Sequence, residues 1–551
     1  MPLRNVRFVL PAVVLTGALA LTGCTASPPD EAATSPAAAP SVAVRDLSSH
    51  TVLLDSEDPV ELALTTSQTV YARSEIVVLA DADDASARPA LAATAVAVHA
   101  PALLVDGSGS GVTDELGRLG ARVAVIVTGD EVHGGEDGAT TDHDDEASRQ
   151  AADAAGVQTL VVAPDVVAGK AGAGPTLEAD DLEDLAGQLD SMLGSGDVTS
   201  SPPAAGGTGS PSPAGTGLLR EVLALVDPVK GQEAAIASLR AAGAVTTAVP
   251  GGDLGTAHAV QTVDRAQALT VVGVGPGFGD ATTFAWRVAA AERAALLPTG
   301  SQHLLPARYV TVDATVWEDP ATAVARAQAA AAAYEPSEDV DGSDGSDTQD
   351  APVVPTLVLT ASATSGGAGE DGDWVTQEDL DALQPLVSAA RDAGVYVLLD
   401  VGAGPGPVVD QVRAAEPLLR DPGVGVALDP ESRVGDGVTT TSHVMSADEV
   451  ADVEAYLADL VTREALPPAL LVVHQTLPES IPDRALLRSL PQVEVAVVAD
   501  RTGGVTTGEW VWNQVSAGVP DGVHVGWSGP AAGVLGSVVP ADPAPVVIAT
   551  Y

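Results

Sequence analysis

Val424-Gly-Val-Ala-Leu-Asp429 is one of eight short apolar runs that recur between residue 297 and the end of the chain. The other seven runs are Tyr309-Val-Thr-Val-Asp313, Pro355-Thr-Leu-Val-Leu-Thr360, Val395-Tyr-Val-Leu-Leu-Asp400, Leu470-Leu-Val-Val-His474, Val493-Glu-Val-Ala-Val-Val-Ala-Asp500, Val523-His-Val-Gly-Trp527 and Pro545-Val-Val-Ile-Ala-Thr550. Each run is too short for a core helix and is rich in Val and Leu, which is typical of a strand buried on both faces. Most gaps between the runs carry an Ala-rich helical pattern. Eight strands alternating with helices predict a (β/α)8 barrel over residues 297–551.

Five of these runs end in an ionisable residue. The residues are Asp313, Asp400, Asp429, His474 and Asp500. In a (β/α)8 barrel the carboxyl ends of all eight strands meet at one face, and active sites lie at that face. The sequence therefore predicts that these five side chains share one mouth of the barrel and form a ligand pocket there.

The fourth run continues as Asp429-Pro-Glu431, which gives two carboxylates two residues apart. They share a face if the chain stays extended, and glycoside hydrolysis needs one protonated and one ionised carboxyl group. This pattern is similar to that of several barrel glycosidases, such as lysozyme-like muramidases and chitinase-like enzymes. We predict Glu431 as the general acid and Asp429 as its partner, with Asp400, His474 and Asp500 as positioning groups. The alternative is structural, because an Asp at the end of a strand often caps the turn that follows.

Aromatic residues near the predicted mouth suggest a surface for a sugar ring. Trp527 ends the seventh run, and Trp374 lies in a long Gly-rich loop after the second run. An indole ring offers an apolar face for stacking. With His474, Asp500 and Asp313, these two residues complete the predicted substrate-binding set. No metal site and no cofactor are predicted.

The composition excludes one large class of partner. The 551 residues carry 25 Lys and Arg against 75 Asp and Glu, a formal net charge of −50. A surface this acidic repels the phosphate backbone, so nucleic-acid binding is not expected. The chain has one cysteine and therefore no intramolecular disulfide. The oligomeric state is left open by the sequence.

The N-terminus has the layout of an export signal. Arg4 and Arg7 precede an apolar run that ends Leu21-Thr-Gly-Cys24, and the run is short for a membrane span. The ending resembles the bacterial lipobox, in which the cysteine is acylated and becomes the new N-terminus. The resemblance implies a lipid on Cys24 that anchors the protein to the outer face of the plasma membrane. The alternative is a chance cysteine after an ordinary signal peptide.

Changes in composition divide the chain into segments. We predict a signal peptide over 1–23, a tether over 24–49, an α/β domain over 50–193, a Gly/Ser/Pro linker over 194–217, a second small α/β unit over 218–296, and the barrel over 297–551 with a disordered acidic insertion over 335–351. The acidic stretch over 134–146 is interpreted as a solvated loop, and the glycines over 271–279 as a tight turn. Because the sequence ends directly after the eighth run, the barrel is expected to lack a full eighth helix.

The first α/β segment resembles a known repeat. Ile76-Val-Val-Leu-Ala, His99-Ala-Pro-Ala-Leu-Leu-Val-Asp106 and the stretch from Leu116 to Gly129 are similar in order and spacing to a cell wall-binding repeat of type 2. The resemblance implies a parallel α/β module that anchors Gram-positive surface proteins to wall polymers. The alternative is an α/β spacer without a ligand, and the second unit is interpreted as a diverged copy of the first.

The barrel region resembles a group of uncharacterised actinobacterial lipoproteins. The resemblance rests on stretches such as Ala307-Arg-Tyr-Val, Val424 to Arg433 and Leu470-Leu-Val-Val-His-Gln475. It implies a secreted protein that faces the cell wall. We therefore predict a lipid-anchored envelope protein with a glycosidase-like barrel that binds or cleaves a cell-wall glycan. The alternative is a non-catalytic lipoprotein that binds glycan or acts as a scaffold.

Overall fold

A computed structural model describes most of the chain downstream of the N-terminal segment. The described residues are 42–129, 145–167, 174–194, 218–219, 221–335, 351–365, 367–368, 372, 374–433, 444–500, 508–529, 539–540 and 543–550. The predicted signal peptide, residues 24–41 of the predicted tether with Cys24, most of the linker, most of the acidic loop and nearly all of the acidic insertion lie outside these residues. The last part of the predicted tether is described, and its residues Val42–Val44 form a strand that pairs with Tyr71–Ser74, so the tether is shorter than predicted.

Mixed α/β structure extends through the described residues. The strands are β1 (Val42–Val44), β2 (Thr51–Leu54), β3 (Tyr71–Ser74), β4 (Ile76–Asp81), β5 (Ala102–Val105), β6 (Val123–Val127), β7 (Gln158–Val162), β8 (Val166–Val167), β9 (Thr176–Leu177), β10 (Val222–Val226), β11 (Val245–Ala248), β12 (Thr270–Val274), β13 (Arg308–Ala314), β14 (Val353–Thr364), β15 (Val375–Gln377), β16 (Tyr396–Gly402), β17 (Val424–Asp429), β18 (Ala469–Gln475), β19 (Val493–Ala499), β20 (His524–Gly529) and β21 (Val547–Thr550). The helices are α1 (Pro59–Val70), α2 (Arg88–Ala97), α3 (Ser110–Leu119), α4 (Glu146–Ala155), α5 (Ala179–Gly194), α6 (Glu233–Ala241), α7 (Ala257–Ala266), α8 (Ala281–Glu292), α9 (Pro320–Ala332), α10 (Leu380–Asp392), α11 (Val408–Ala414), α12 (Glu416–Leu419), α13 (Ala447–Arg463) and α14 (Gly508–Ser516).

Eight parallel strands close into a barrel, as the sequence predicts. Their order around the barrel is β13, β14, β16, β17, β18, β19, β20 and β21, and β21 pairs again with β13. The strand β15 adds an antiparallel hairpin to the outer end of β14. The barrel strands therefore follow one another in chain order, which is the arrangement expected of a (β/α)8 barrel.

Side chains alternate between the barrel interior and the layer of helices outside it. Tyr309 and Tyr396 fill the interior near the amino-terminal end, with ring centroids 5.1 Å apart at 73°. The hydroxyl of Tyr396 accepts a hydrogen bond from the backbone N–H of Leu470 at 3.0 Å. A Cβ at Gly425 would lie 2.9 Å from that hydroxyl, so the glycine leaves room for it. These two rings thus fill part of the barrel interior. Open cavities lie at both ends of the strands, one of about 350 Å³ lined by residues that precede the strands, such as Leu305 and Val546, and one at the carboxyl ends.

The first upstream sheet has the strand order β5, β4, β6, β7, with all strands parallel. The predicted strands over residues 75–80, 102–105, 123–128 and 159–163 all form within a residue or two of the expected limits. Their Val, Leu and Ile side chains alternate between two helical layers, one with α3 and α4 and the other with α2. Such burial on both faces explains the unbroken apolar runs.

The second upstream sheet has the order β11, β10, β12, β2, and it differs from the prediction in one strand. The sequence places Thr51–Leu54 in the first α/β segment, but this strand pairs with Thr270–Val274 of the second sheet. The two paired strands are more than 200 residues apart along the chain. The apolar pattern of one strand does not indicate which distant strand it pairs with. The two upstream units are therefore interlocked, because the second sheet takes its edge strand from the start of the folded chain.

Helix α8 connects the second sheet to the outside of the barrel. The indole of Trp286 is 2% exposed and donates a hydrogen bond to the backbone carbonyl of Leu466 at 3.0 Å. Val461 and Ala469 pack in the same small apolar cluster. A buried indole with its N–H satisfied fixes both distance and orientation, so the second unit and the barrel are held together through this helix.

Candidate functional site

An open cavity of about 260 Å³ lies at the carboxyl end of the barrel strands. The five ionisable residues that end the predicted strands all line it: Asp313, Asp400, Asp429, His474 and Asp500. Thr311, Val358, Ser528, Ala549 and Thr550 complete the wall. The side chains come together because each occupies an inward-facing position near the end of its strand.

Asp400 is the carboxyl group in this mouth with the most strongly changed acidity. Burial raises the pKa of Asp400 to about 6. The imidazole of His474 acts in the opposite direction, whereas the carboxylates of Asp429 and Asp313 raise the pKa further. A carboxyl group of this kind holds its proton at a pH where an ordinary aspartate is ionised, which is the property required of a general acid.

His474 and Asp500 form a pair beside Asp400. The imidazole Nδ1 lies 3.4 Å from a carboxylate oxygen of Asp500. Burial opposes protonation of the ring, but the neighbouring Asp500 carboxylate, together with those of Asp400 and Asp429, raises the pKa of His474 above its ordinary value. The mouth therefore contains two carboxyl groups whose pKa is raised by burial, Asp400 and Asp313, next to an imidazole whose pKa is also raised.

The two carboxylates of Asp429-Pro-Glu431 do not face the same cavity. Glu431 is not among the residues that line the mouth. Its Oε1 accepts hydrogen bonds from the backbone N–H of Thr476 at 3.0 Å, from the Thr476 hydroxyl, and from the Ser480 hydroxyl at 3.1 Å. The prediction assumes an extended chain, but residues 430–432 form a 3-10 turn that directs this side chain toward the loop after β18. Glu431 ties two loops together here instead of facing the mouth as a general acid would.

Asp429 combines the two roles that the sequence leaves open. It lines the mouth, and its Oδ1 also accepts a hydrogen bond from the backbone N–H of Glu431 at 2.9 Å. That bond caps the turn, so the structural interpretation of a strand-ending Asp applies to this residue. The hydrogen bond also orients the carboxylate, which stays on the cavity wall next to Asp400.

A network of hydrogen bonds behind the mouth joins three consecutive strand ends. The Ser432 hydroxyl donates to the carbonyl of Asp429 at 2.6 Å and accepts from the N–H of Ala403 at 3.3 Å. The Ser432 carbonyl accepts from the Thr364 hydroxyl at 2.8 Å. The ends of β14, β16 and β17 are therefore connected to one another, which holds Asp400 and Asp429 on a rigid wall.

Trp527, which the sequence predicts as a stacking residue, does not line the mouth. This indole is 4% exposed and packs in the layer between the barrel and its helices. Ser528 occupies the inward position on the same strand, and alternation along a strand sends the preceding side chain outward. Trp374 has a positive φ of 56° in the loop before β15 and is not among the residues that line the mouth.

Sequence reasoning missed Thr311 and Ser528 as parts of the cavity wall. Both lie on the inward-facing side of strands whose ends the sequence identifies. Thr311 lies two residues before Asp313, so the alternation of side chains along a strand places it on the same face. Ser528 lies beyond the apolar run and is found only when the strand is extended by one residue. Both hydroxyls add polar contacts to a wall dominated by carboxylates.

The described residues include neither a cluster of metal ligands nor a membrane-spanning helix. No group of His, Cys, Asp and Glu side chains there is arranged to hold a metal ion. No helix in the same part of the chain has both the length and the apolar character needed to cross a membrane.

Comparisons with known proteins do not identify a family for this chain. No protein-family model matches this chain, and no curated protein matches it either. Among solved structures, the chain is similar to Cwp6 from Clostridium difficile, with 13% sequence identity and a TM-score of 0.29. The similarity covers 68% of this chain and 62% of that one. A likeness this distant carries no argument about fold or activity, and the barrel mouth is the basis for the function proposed below.

Proposed function

We propose that this chain is a lipid-anchored cell-envelope protein whose barrel binds a cell-wall glycan and hydrolyses a glycosidic bond in it. The observation that carries the proposal is the position of Asp400, a carboxyl group with a pKa of about 6 beside the carboxylate of Asp429. Glycoside hydrolysis needs a protonated carboxyl group to donate to the leaving oxygen and an ionised one to stabilise or attack the sugar.

Asp400 is proposed as the proton donor and Asp429 as the ionised partner. At pH 7, roughly one molecule in ten carries the proton on Asp400, which is sufficient for a general acid because the donor is rapidly reprotonated from water. His474, paired with Asp500, is proposed to hold a sugar hydroxyl next to these two groups. The assignment replaces Glu431 with Asp400 because the Glu431 carboxylate is committed to Thr476 and Ser480.

The test is release of new reducing ends from purified wall glycans by the full-length protein. We expect the rate to fall by about 100-fold or more in Asp400→Asn, which is the usual effect of removing a general acid. Glu431→Gln is the matched variant, because it also replaces one carboxylate by an amide, and its rate should stay within about threefold. Equal losses in both variants would refute the assignment of Asp400.

The alternative is a non-catalytic protein that binds glycan or acts as a scaffold. The observation that favours it is the wall of the mouth, whose described residues include no Phe, Tyr or Trp to stack on a sugar ring at the site of cleavage. Co-sedimentation with insoluble wall material separates the two functions. Binding without any release of reducing ends would support the scaffold, whereas release that depends on Asp400 would support the enzyme.

The envelope location is proposed from the sequence alone. The lipobox-like ending at Cys24 and the acyl chains that it implies are sufficient for stable anchoring. In cells that express the full-length protein, metabolic labelling with palmitate should mark the native chain and leave Cys24→Ser unlabelled. A Cys24→Ser protein that remains in the membrane fraction and carries label would contradict lipid anchoring at this residue.

A further inference from the structure

The second upstream sheet has a topological switch point. Strand β10 leads into α6, which packs on one face of the sheet, and β12 leads into α8, which packs on the other. The two strands are neighbours in the sheet and run parallel. Where adjacent parallel strands send their connections to opposite faces, the loops diverge and leave a crevice outside the carboxyl ends, and α/β proteins bind ligands in such crevices.

An open cavity of about 260 Å³ occupies this position. The loop after β10 contributes Lys230 and Gln232, the loop after β12 contributes Pro276, and the loop after β2 contributes Ser56 and Glu57. Its size is just below the range of about 300–1,000 Å³ that is typical for drug-sized ligands, so a ligand of one or two amino acid residues fits.

The first upstream sheet provides an internal comparison, because it has the same kind of switch point between β4 and β6. There the protein fills the crevice with its own groups. A carboxylate oxygen of Asp84, from the loop after β4, accepts a hydrogen bond from the N–H of Gly129, after β6, at 2.9 Å. In the second sheet the comparable carboxylate, Asp227 after β10, instead accepts a hydrogen bond from the N–H of Gly251 after β11 at 2.8 Å, and neither residue lines the cavity.

Gln232 is the observation that points to a ligand. The residue is 2% exposed and lines the cavity, yet neither its amide nitrogen nor its amide oxygen has a hydrogen-bond partner. Buried amides are almost always paired, because leaving the donor and the acceptor unsatisfied destabilises the folded state. A Cβ at Gly275 would lie 2.6 Å from the amide nitrogen, so the glycine is needed for the amide to occupy this place.

Opposite charges stand at two sides of the cavity. Lys230 is exposed and makes no ion pair within the described residues, in a chain where acidic groups outnumber basic ones three to one. The first turn of α6, directly after Gln232, has no side-chain cap, so its N–H groups favour an anionic group. This turn also carries the carboxylate of Glu233, which lies 3.7 Å from the guanidinium of Arg88. Glu57 supplies a carboxylate on another part of the wall. Leu62 and Pro276 form apolar wall between them.

We propose that this crevice binds a zwitterionic small molecule, an amino acid or a short peptide. Its carboxylate would meet Lys230 and the first turn of α6, its ammonium group would meet Glu57, and its amide or carboxylate would pair with Gln232. A neutral zwitterion fits better than a simple anion because the net charge of −50 repels anions from the whole surface. This site is separate from the barrel mouth and does not depend on the activity proposed there.

Isothermal titration calorimetry of the full-length protein with L-alanyl-L-alanine tests the proposal. We expect Gln232→Leu to weaken binding by about tenfold or more, because it removes the only buried hydrogen-bonding side chain of the cavity. Lys230→Gln should weaken binding by about two- to fivefold, the effect of an exposed ion pair. Acetate and N-acetyl-L-alaninamide, which lack one or both charges, should give no measurable binding at the same concentration.

Stability measurements separate a ligand role from a structural one. Gln232→Leu removes two unsatisfied buried atoms at similar volume, so its melting temperature should equal or exceed that of the native protein. A lower melting temperature with unchanged dipeptide binding would make Gln232 a structural residue and overturn the proposal. The proposal would also be overturned if titration with the dipeptide produced no heat, or if acetate bound as tightly as the dipeptide. Loss of dipeptide binding in Asp400→Asn would overturn it too, because it would place the dipeptide in the barrel mouth.

Discussion

Replacement of Asp400 by Asn should stabilise the protein at neutral and alkaline pH while it removes the proposed proton donor. Asp400 is half-buried among the carboxylates of the barrel mouth, and its pKa of about 6 means that the fold disfavours the ionised form. An amide of nearly the same shape carries no charge at any of these pH values. The variant therefore avoids the cost of ionising a carboxyl group inside the mouth.

The size and the sign of the effect follow from the pKa. Below about pH 3, Asp400 is largely protonated in both the folded and the unfolded chain, and its ionisation does not affect stability. As the pH rises from the ordinary value of 3.8 toward 6, the unfolded chain ionises first and the folded protein loses stability. A shift of this size lowers the unfolding free energy by about 3 kcal/mol, and nearly all of this loss is reached by roughly pH 6.5. His474 loses part of its favourable surroundings in the variant, so about 2–3 kcal/mol is expected.

Urea unfolding at half-unit steps from pH 4 to pH 8 measures this difference. The unfolding free energies of the native protein and Asp400→Asn should be similar at pH 4 and should diverge up to pH 6.5, with an unchanged denaturant slope. Asp452→Asn is the matched control, because Asp452 is exposed on α13 and its replacement should give a pH-independent difference near zero. If the native and Asp400→Asn curves stay parallel across the range, Asp400 does not have the raised pKa on which the proposed mechanism depends.

Three further substitutions test separate structural claims by urea unfolding. Glu431→Ala should lower the unfolding free energy by about 2–3 kcal/mol, because it leaves the N–H of Thr476 and two nearby hydroxyls without their acceptor. Trp286→Phe should lower the unfolding free energy by about 1–3 kcal/mol, because the backbone carbonyl of Leu466 loses the indole N–H that donates to it. Gly251→Ala should cost only the roughly 1–2 kcal/mol of a left-handed backbone, since nothing lies near its Cβ, whereas Gly252→Ala should cost clearly more because its Cβ would lie 2.2 Å from the backbone of a facing loop.

Each of these three predictions can fail in a recognisable way. A Glu431→Ala protein as stable as the native one would mean that the two loops do not depend on this carboxylate. A Trp286→Phe protein with native stability would remove the indole as a link between the second unit and the barrel. Equal effects of the two glycine substitutions would mean that the close approach of the loops does not constrain position 252.

The barrel could be predicted from the sequence because its strands are buried on both faces and end in polar residues. Both properties belong to single strands and can be recognised in the sequence without knowing which strands are neighbours in the sheet. The same reasoning located Asp400 and Asp429 on one wall, since parallel strands in chain order place their carboxyl ends together. The position of Glu431 was not predictable in this way, because a 3-10 turn of three residues decides its direction.

The direction of Trp527 and the pairing of β2 could not be predicted from the local sequence pattern alone. The outward direction of Trp527 follows from alternation, but only after Ser528 is recognised as part of the strand. The pairing of β2 with β12 joins segments on opposite sides of a complete α/β unit, and several apolar runs compete for the same place. The raised pKa of Asp400 likewise reflects groups from four strands, which no single segment of sequence contains.

The edge strand β2 makes the upstream region a single assembly that a cut in the linker does not separate. A protease that cleaved between α5 and β10 would leave a first fragment that still supplies one strand to the second sheet. The two pieces should then remain associated without a covalent link, as complementing fragments do. A chain engineered to start at β10 would lack this strand and would expose the hydrogen-bonding edge of β12 to other molecules. The boundary suggested by the linker is thus a boundary in sequence only, and the smallest autonomous unit upstream of the barrel begins at or before Thr51.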